Sequence, residues 1–110
     1  TLYIDKGYPI TYNDPQLTAK MADTFVDVVG AQNVTPNMNA ITGAEDFSFF
    51  QEKIPGLYFF IGGAPKGVDA EKQAPHHTPD FYVDDAGMIT GINLLSRMVV
   101  DYPEVTISKK

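Results

Sequence analysis

The sequence predicts an α/β fold, with helices packed on a small mixed sheet, and three observations carry that expectation. Leu17, Met21, Phe25 and Val28 repeat at helical spacing between a proline-flanked start and a glycine. Leu57-Tyr58-Phe59-Phe60-Ile61 is continuously apolar and ends at Gly62-Gly63, the pattern of a strand buried on both faces. A second helical stripe, Met88, Ile92, Leu95 and Val99, lies near the C-terminal end.

Taken in order, residues 2–4 and 8–12 carry β-branched and aromatic side chains around Asp5-Lys6-Gly7, which reads as extended chain with a turn or bulge. Asn13-Asp14-Pro15 starts the first helix, with a capping side chain and then a proline whose missing N–H costs nothing in a first turn. Gly30 closes that helix. Val34 begins a short strand cut by Pro36, and residues 39–42 offer another. Glu45 to Lys53 reads as a short helix with acids in its first turn, where the helix dipole favours them. Ile54-Pro55-Gly56 stops it. Ala64 to Pro79 is a long loop with three prolines, one glycine and both histidines of the chain, and loops of that length usually carry function or are disordered. Asp84 or Asp85 caps the last helix, Tyr102-Pro103 ends it, and a frayed tail follows. A buried central strand needs neighbours, and few are available here, so the sheet reads as part of a larger one.

At 110 residues the chain is one domain or a piece of one, and 44% hydrophobic against 20% charged residues is ordinary for a globular protein. A formal charge of −6 argues against a nucleic-acid partner, since little here neutralises phosphates. No apolar run approaches the roughly 18 residues of a membrane span. The absence of cysteine excludes disulfides and thiolate metal sites but leaves the compartment open. Thr1-Leu2-Tyr3-Ile4 is already strand-like, with neither an initiator methionine nor a signal-peptide pattern, and reads as a cut inside a longer chain. Localisation, cytoplasmic or periplasmic, is therefore undecided.

His76-His77-Thr78-Pro79 is the first chemical candidate, because imidazole is the commonest side-chain metal ligand. Adjacent residues seldom aim at one centre, so one histidine would be the ligand and the other its neighbour. The plain alternative is two solvated loop histidines. A zinc site takes about three or four donors, and this chain has no cysteine and no third histidine. Glu45 and Asp46 follow: they either favour a helix start electrostatically, or Glu45 touches a metal-bound histidine or the substrate. The phenylalanines and Tyr58 around residues 47–60 read as core. Gly62-Gly63 lacks a dinucleotide or phosphate-loop pattern.

Gly43-Ala44-Glu45-Asp46-Phe47, then Pro55-Gly56 with the aromatic run ending in glycine, then His77-Thr78-Pro79 with Phe81, Val83 and Asp84, resemble one C-terminal signature. It is that of the two-zinc amidohydrolases and metallopeptidases of the aminoacylase, hippurate hydrolase and auxin-conjugate (indoleacetyl-amino acid) hydrolase branch. There, Gly-Ser-Glu-Asp-Phe precedes His-Ser-Pro and an acid-capped last helix. Gly7-Tyr8-Pro9 and Asn13-Asp14-Pro15 resemble the exit from that family's inserted lid domain. Ala44 and Thr78 depart from the pattern, each replacing a serine, and the doubled histidine leaves the register open between His77 and His76.

The resemblance implies that residues 1–12 end a lid and dimerisation domain, that residues 13–104 form the C-terminal part of a zinc-peptidase-like catalytic domain, and that residues 105–110 are a flexible tail. It implies His77 as a metal ligand, with His76 as the alternative, and a supporting or substrate-side role for Glu45. The parent protein would hold two divalent ions, zinc or else manganese, cobalt or nickel. They would activate water and polarise the amide carbonyl of an N-acyl amino acid or small peptide, with a glutamate elsewhere as general base. The parent would be a homodimer or other homo-oligomer. This chain alone, lacking most of that site, would be inactive and metal-free or weakly metal-binding. The competing expectation is a non-catalytic interaction or ligand-binding module of the same fold.

Overall fold

The computed structural model describes residues 1–4 and 7–107, with side chains described as far as Tyr102. The turn expected at Asp5-Lys6 and the last three residues of the tail lie outside the described residues. The chain divides into two compact units, Thr1–Phe59 and Phe60–Lys110.

In the first unit, α1 spans Pro15–Val29 and forms as the sequence dictates. The Asp14 side chain accepts from the Leu17 N–H at 2.8 Å, which pairs one of the orphan donors of the first turn. The Thr18 hydroxyl donates to the Asp14 carbonyl at 2.7 Å. Gly30, with φ of 83°, turns the chain out, and its N–H donates to the Val26 carbonyl at 2.8 Å. Met21 is buried, Leu17, Phe25 and Val28 are half-buried, and the Phe25 and Phe59 rings meet at 4.9 Å. A 3-10 turn over Ala31–Asn33 follows.

Helix α2 is short, Phe47–Gln51, and the chain then turns through Glu52 and Lys53. Ser48 is fully buried, and its hydroxyl donates to the Glu45 carbonyl at 2.6 Å. Gly56 is buried against this helix: a Cβ there would lie 2.7 Å from Gln51 Cγ and 3.2 Å from the Phe47 ring. No other residue lets the chain pass so close.

The mixed sheet is not formed: among the described residues there is no strand. A strand exists through ladder hydrogen bonds to a neighbour, and no such ladder is formed at residues 57–61 among the described residues. Asn13 partly substitutes. Its amide nitrogen donates to the Tyr58 carbonyl, and its carbonyl oxygen accepts from the Tyr58 N–H, both at 2.7 Å. One side chain thus makes the paired contacts of a strand neighbour. Burial on both faces is not met either, since Phe60 is 55% and Ile61 39% exposed. Residues 2–4 likewise form no strand and are exposed, and the strands expected near Val34 and over 39–42 are absent.

The second unit is irregular up to α3, which spans Ala86–Ile107, apart from a 3-10 turn over Ala70–Lys72 capped by Asp69. Asp84 caps α3: its carboxylate accepts from the Ala86 N–H at 2.9 Å, and its own N–H donates to the Gly63 carbonyl at 2.8 Å. The helix passes Tyr102-Pro103 rather than ending there. A proline forfeits one ladder bond and crowds the preceding turn, but its φ near −65° remains helical.

The face α3 buries also differs from the expected one. Gly91 and Leu94 are buried and Gly87 and Met98 half-buried, whereas Met88, Ile92, Leu95 and Val99 are exposed. At 3.6 residues per turn the two stripes lie roughly 100° apart around the axis. The glycines decide between them. A Cβ at Gly87 would stand 3.3 Å from the Gly62 carbonyl oxygen, and one at Gly91 3.0 Å from Ile61 Cδ1. Only the side bearing small residues comes that close to residues 61–62.

Candidate functional site

The residues singled out by sequence fall in both units: Glu45 in the first, His76 and His77 in the second. Each group is built by its own surroundings.

Glu45 stands just ahead of α2 and is half-buried. Its Oε2 accepts from the Tyr58 hydroxyl at 2.9 Å, and its Oε1 from the Phe47 N–H at 3.3 Å. The carboxylate thus takes the capping role at the helix start, where Asp46 makes no side-chain cap. The hydrogen bond to Glu45, then burial, then the negative charge of Glu45 hold the Tyr58 hydroxyl above its ordinary value of 10.0. At neutral pH it is a proton donor. The Tyr58 ring lies 5.9 Å from that of Phe47. Asn13 holds the Tyr58 backbone, Gln51 Nε2 donates to Asn13 Oδ1 at 3.1 Å, and the Asp14 N–H donates to the Gly56 carbonyl at 2.9 Å.

The sequence pattern places Tyr58 in the core and Asn13 at a helix start. The available signals were chemical: a tyrosine among phenylalanines brings a hydroxyl that needs a partner when it is partly buried, and Asp14 alone suffices as the cap, which leaves Asn13 free for another role.

The two histidines occupy the centre of a turn from Pro75 to Thr78. The Thr78 hydroxyl donates to the Pro75 carbonyl at 2.7 Å, and the Phe81 N–H to the Thr78 carbonyl at 3.1 Å. His77 has a φ of 64°, the one left-handed residue other than glycine among the described residues. Turns of this kind usually place glycine or asparagine there, and a side chain in that conformation costs about 1–2 kcal/mol. His76 packs its ring 4.6 Å from that of Phe81. Both histidines are exposed.

With the geometry in place, comparison with known proteins defines the class. The chain is 34% identical to thermostable carboxypeptidase 2 of Saccharolobus solfataricus over 76% of its length, and 33% identical to IAA-amino acid hydrolase ILR1-like 4 of Arabidopsis thaliana over 86%. It is 29% identical over 92% of its length to YhaA of Bacillus subtilis, provisionally named an amidohydrolase. These matches cover 20%, 21% and 25% of the respective relatives, so the chain spans about a quarter or less of their length. Residues 1–101 match peptidase family M20/M25/M40, and the chain belongs to that family. No solved structure matches.

Family M20 is generally metal-dependent. The described residues contain no group of three or more His, Cys, Asp or Glu side chains that could hold a metal ion. A zinc centre takes about three or four donors, so these residues do not by themselves fit a two-metal centre. The histidine turn offers imidazole donors and no more. Among the described residues, no helix is long and apolar enough to cross a membrane.

Proposed function

We propose that the chain is the C-terminal portion of the catalytic domain of a metal-dependent amidohydrolase acting on N-acyl amino acids or small peptides. Family membership supports the class, and relatives named as a carboxypeptidase and an amino-acid-conjugate hydrolase support the substrate chemistry. The observation that carries the site is the left-handed backbone of His77. Strain of this kind concentrates where a side chain must be held in one pose. His76, by contrast, is engaged with Phe81. In this reading His77 is one metal ligand, and Glu45 stands on the substrate side or supports a ligand. The other ligands and the general base belong to the remainder of the protein. Residues 1–12 end an inserted lid, the native assembly is a homo-oligomer, and the ions are zinc or else manganese, cobalt or nickel. The 110-residue chain alone is inactive.

The test is made on the full-length protein. Its metal content and hydrolysis of N-acyl amino acids are measured beside His77→Gly, which keeps the turn conformation and removes the imidazole. Loss of a ligand is expected to lower activity by more than the roughly 10- to 100-fold typical of a ligand's outer partners, together with metal content. A metal-loaded, folded wild type that hydrolyses no amide would instead favour a non-catalytic interaction or ligand-binding module.

A further inference from the structure

A continuous set of hydrogen bonds runs from the start of α1 to the Glu45 carboxylate. Asp14 caps α1 and ties its own N–H to the Gly56 carbonyl at 2.9 Å. Asn13, the adjacent residue, clamps both backbone polar groups of Tyr58 at 2.7 Å. Tyr58 then reaches Glu45 Oε2 at 2.9 Å, while the Phe47 N–H takes Oε1 at 3.3 Å. A glutamate side chain left to itself samples several rotamers. Here both oxygens are occupied from fixed directions, and a carboxylate so held still has lone pairs to offer a third donor.

We propose that Tyr58 is a positioning residue for Glu45, its hydroxyl fixing the carboxylate in the one orientation that meets a hydrogen-bond donor of the substrate. The inference rests on the amidohydrolase reading and on the substrate-side place of Glu45 within it. Phe47, Phe49, Phe50, Phe59 and Phe60 surround this position in sequence, so apolar packing alone would be served by a sixth phenylalanine. The hydroxyl is the group that packing does not require, and it lies on the carboxylate. Asn13 contributes by anchoring Tyr58 to a capped helix rather than to a loop.

The experiment compares wild type, Tyr58→Phe, Glu45→Gln and the double variant in the full-length enzyme. The readouts are kcat and KM on an N-acyl amino acid, bound metal, and melting temperature. Tyr58→Phe is expected to lower kcat/KM by about 10-fold or more, with metal content near that of wild type and a melting temperature only a few degrees lower. In the Glu45→Gln background the same change is expected to alter kcat/KM by less than about twofold, because a residue acting through Glu45 has nothing left to position. An active enzyme indifferent to Tyr58→Phe, or losses that simply multiply in the double variant, overturns the inference alone. A wild type without amide hydrolysis overturns the amidohydrolase reading and the inference with it.

Discussion

Tyr58 shows how one atom changes what a residue does. As an aromatic ring it packs beside Phe47, as its position in an apolar run suggests. Its hydroxyl meets Glu45, and that contact raises the energy of the phenolate. The raised value has a definite linkage consequence. A group whose proton is held more tightly in the folded state stabilises that state below the unfolded value, and the contribution fades as pH rises through the folded one. Urea unfolding of the 110-residue chain and its Tyr58→Phe variant is therefore expected to give a stability difference that is level from pH 7 to about 9. Above the ordinary value of 10.0 that difference should shrink. A difference that grew with alkalinity would contradict the assigned contact. His77 makes the complementary point, for its distinction from His76 lies in the backbone. Spacing alone does not rank two identical adjacent residues, and the family resemblance that puts His77 first leaves His76 as an alternative; the turn gives His77 a φ of 64°.

At the level of elements, the junction of α1 with residues 56–58 is where local signals and long-range contacts meet. Asp14 serves its own helix, and loss of that cap costs about 1 kcal/mol. Asn13 serves a segment 45 residues away. Its removal takes away both hydrogen bonds that one side chain makes with the Tyr58 backbone, at about 2 kcal/mol. Asn13→Ala is therefore expected to destabilise the protein more than Asp14→Ala, by urea unfolding midpoints, although a local reading of the sequence ranks them the other way. Equal effects would mean that the Tyr58 backbone finds another partner readily. The helices themselves were legible because caps, proline placement and 3.6-residue spacing act over a few residues. Helix α1 accordingly has the boundaries that its sequence signals.

On the scale of the whole molecule, the notable feature is apolar surface without cover. Met88, Ile92, Leu95 and Val99 are each more than half exposed along α3, and Leu2, Tyr3, Ile4 and Ile10 are exposed at the other end of the sequence. A helix apolar around most of its circumference is one that several layers of a larger core surround. Together with a span of about a quarter of the relatives' length, this leads to a prediction for the complete protein. Ile92→Asp should lower the melting temperature of the full-length protein steeply, since burying an unpaired carboxylate is among the costliest single changes. The same change in the 110-residue chain, where Ile92 is exposed, should leave its stability nearly unaltered. Similar small effects in both proteins would show that this stripe faces solvent throughout.

The division between sequence and tertiary structure follows from the range of the forces concerned. The starts of α1 and α3, the stop of α1 at Gly30, the ordered Gly-Ala-Glu-Asp-Phe and His-Thr-Pro motifs, and through them the peptidase family were present in the sequence, because each is written within a few neighbouring residues. The choice of buried face on α3 was not, because two apolar stripes compete on one helix, and close approach at Gly87 and Gly91 selects between them only once residues 61–62 are in place. The sheet that the described residues do not form belongs with it: an apolar run has strand character in its side chains, but a strand requires a partner's backbone, and Asn13 meets that of Tyr58 with a side chain. The tie from Tyr58 to Glu45 likewise joins residues 13 positions apart. Contacts of that kind depend on where the intervening chain is folded, and only the tertiary structure decides that.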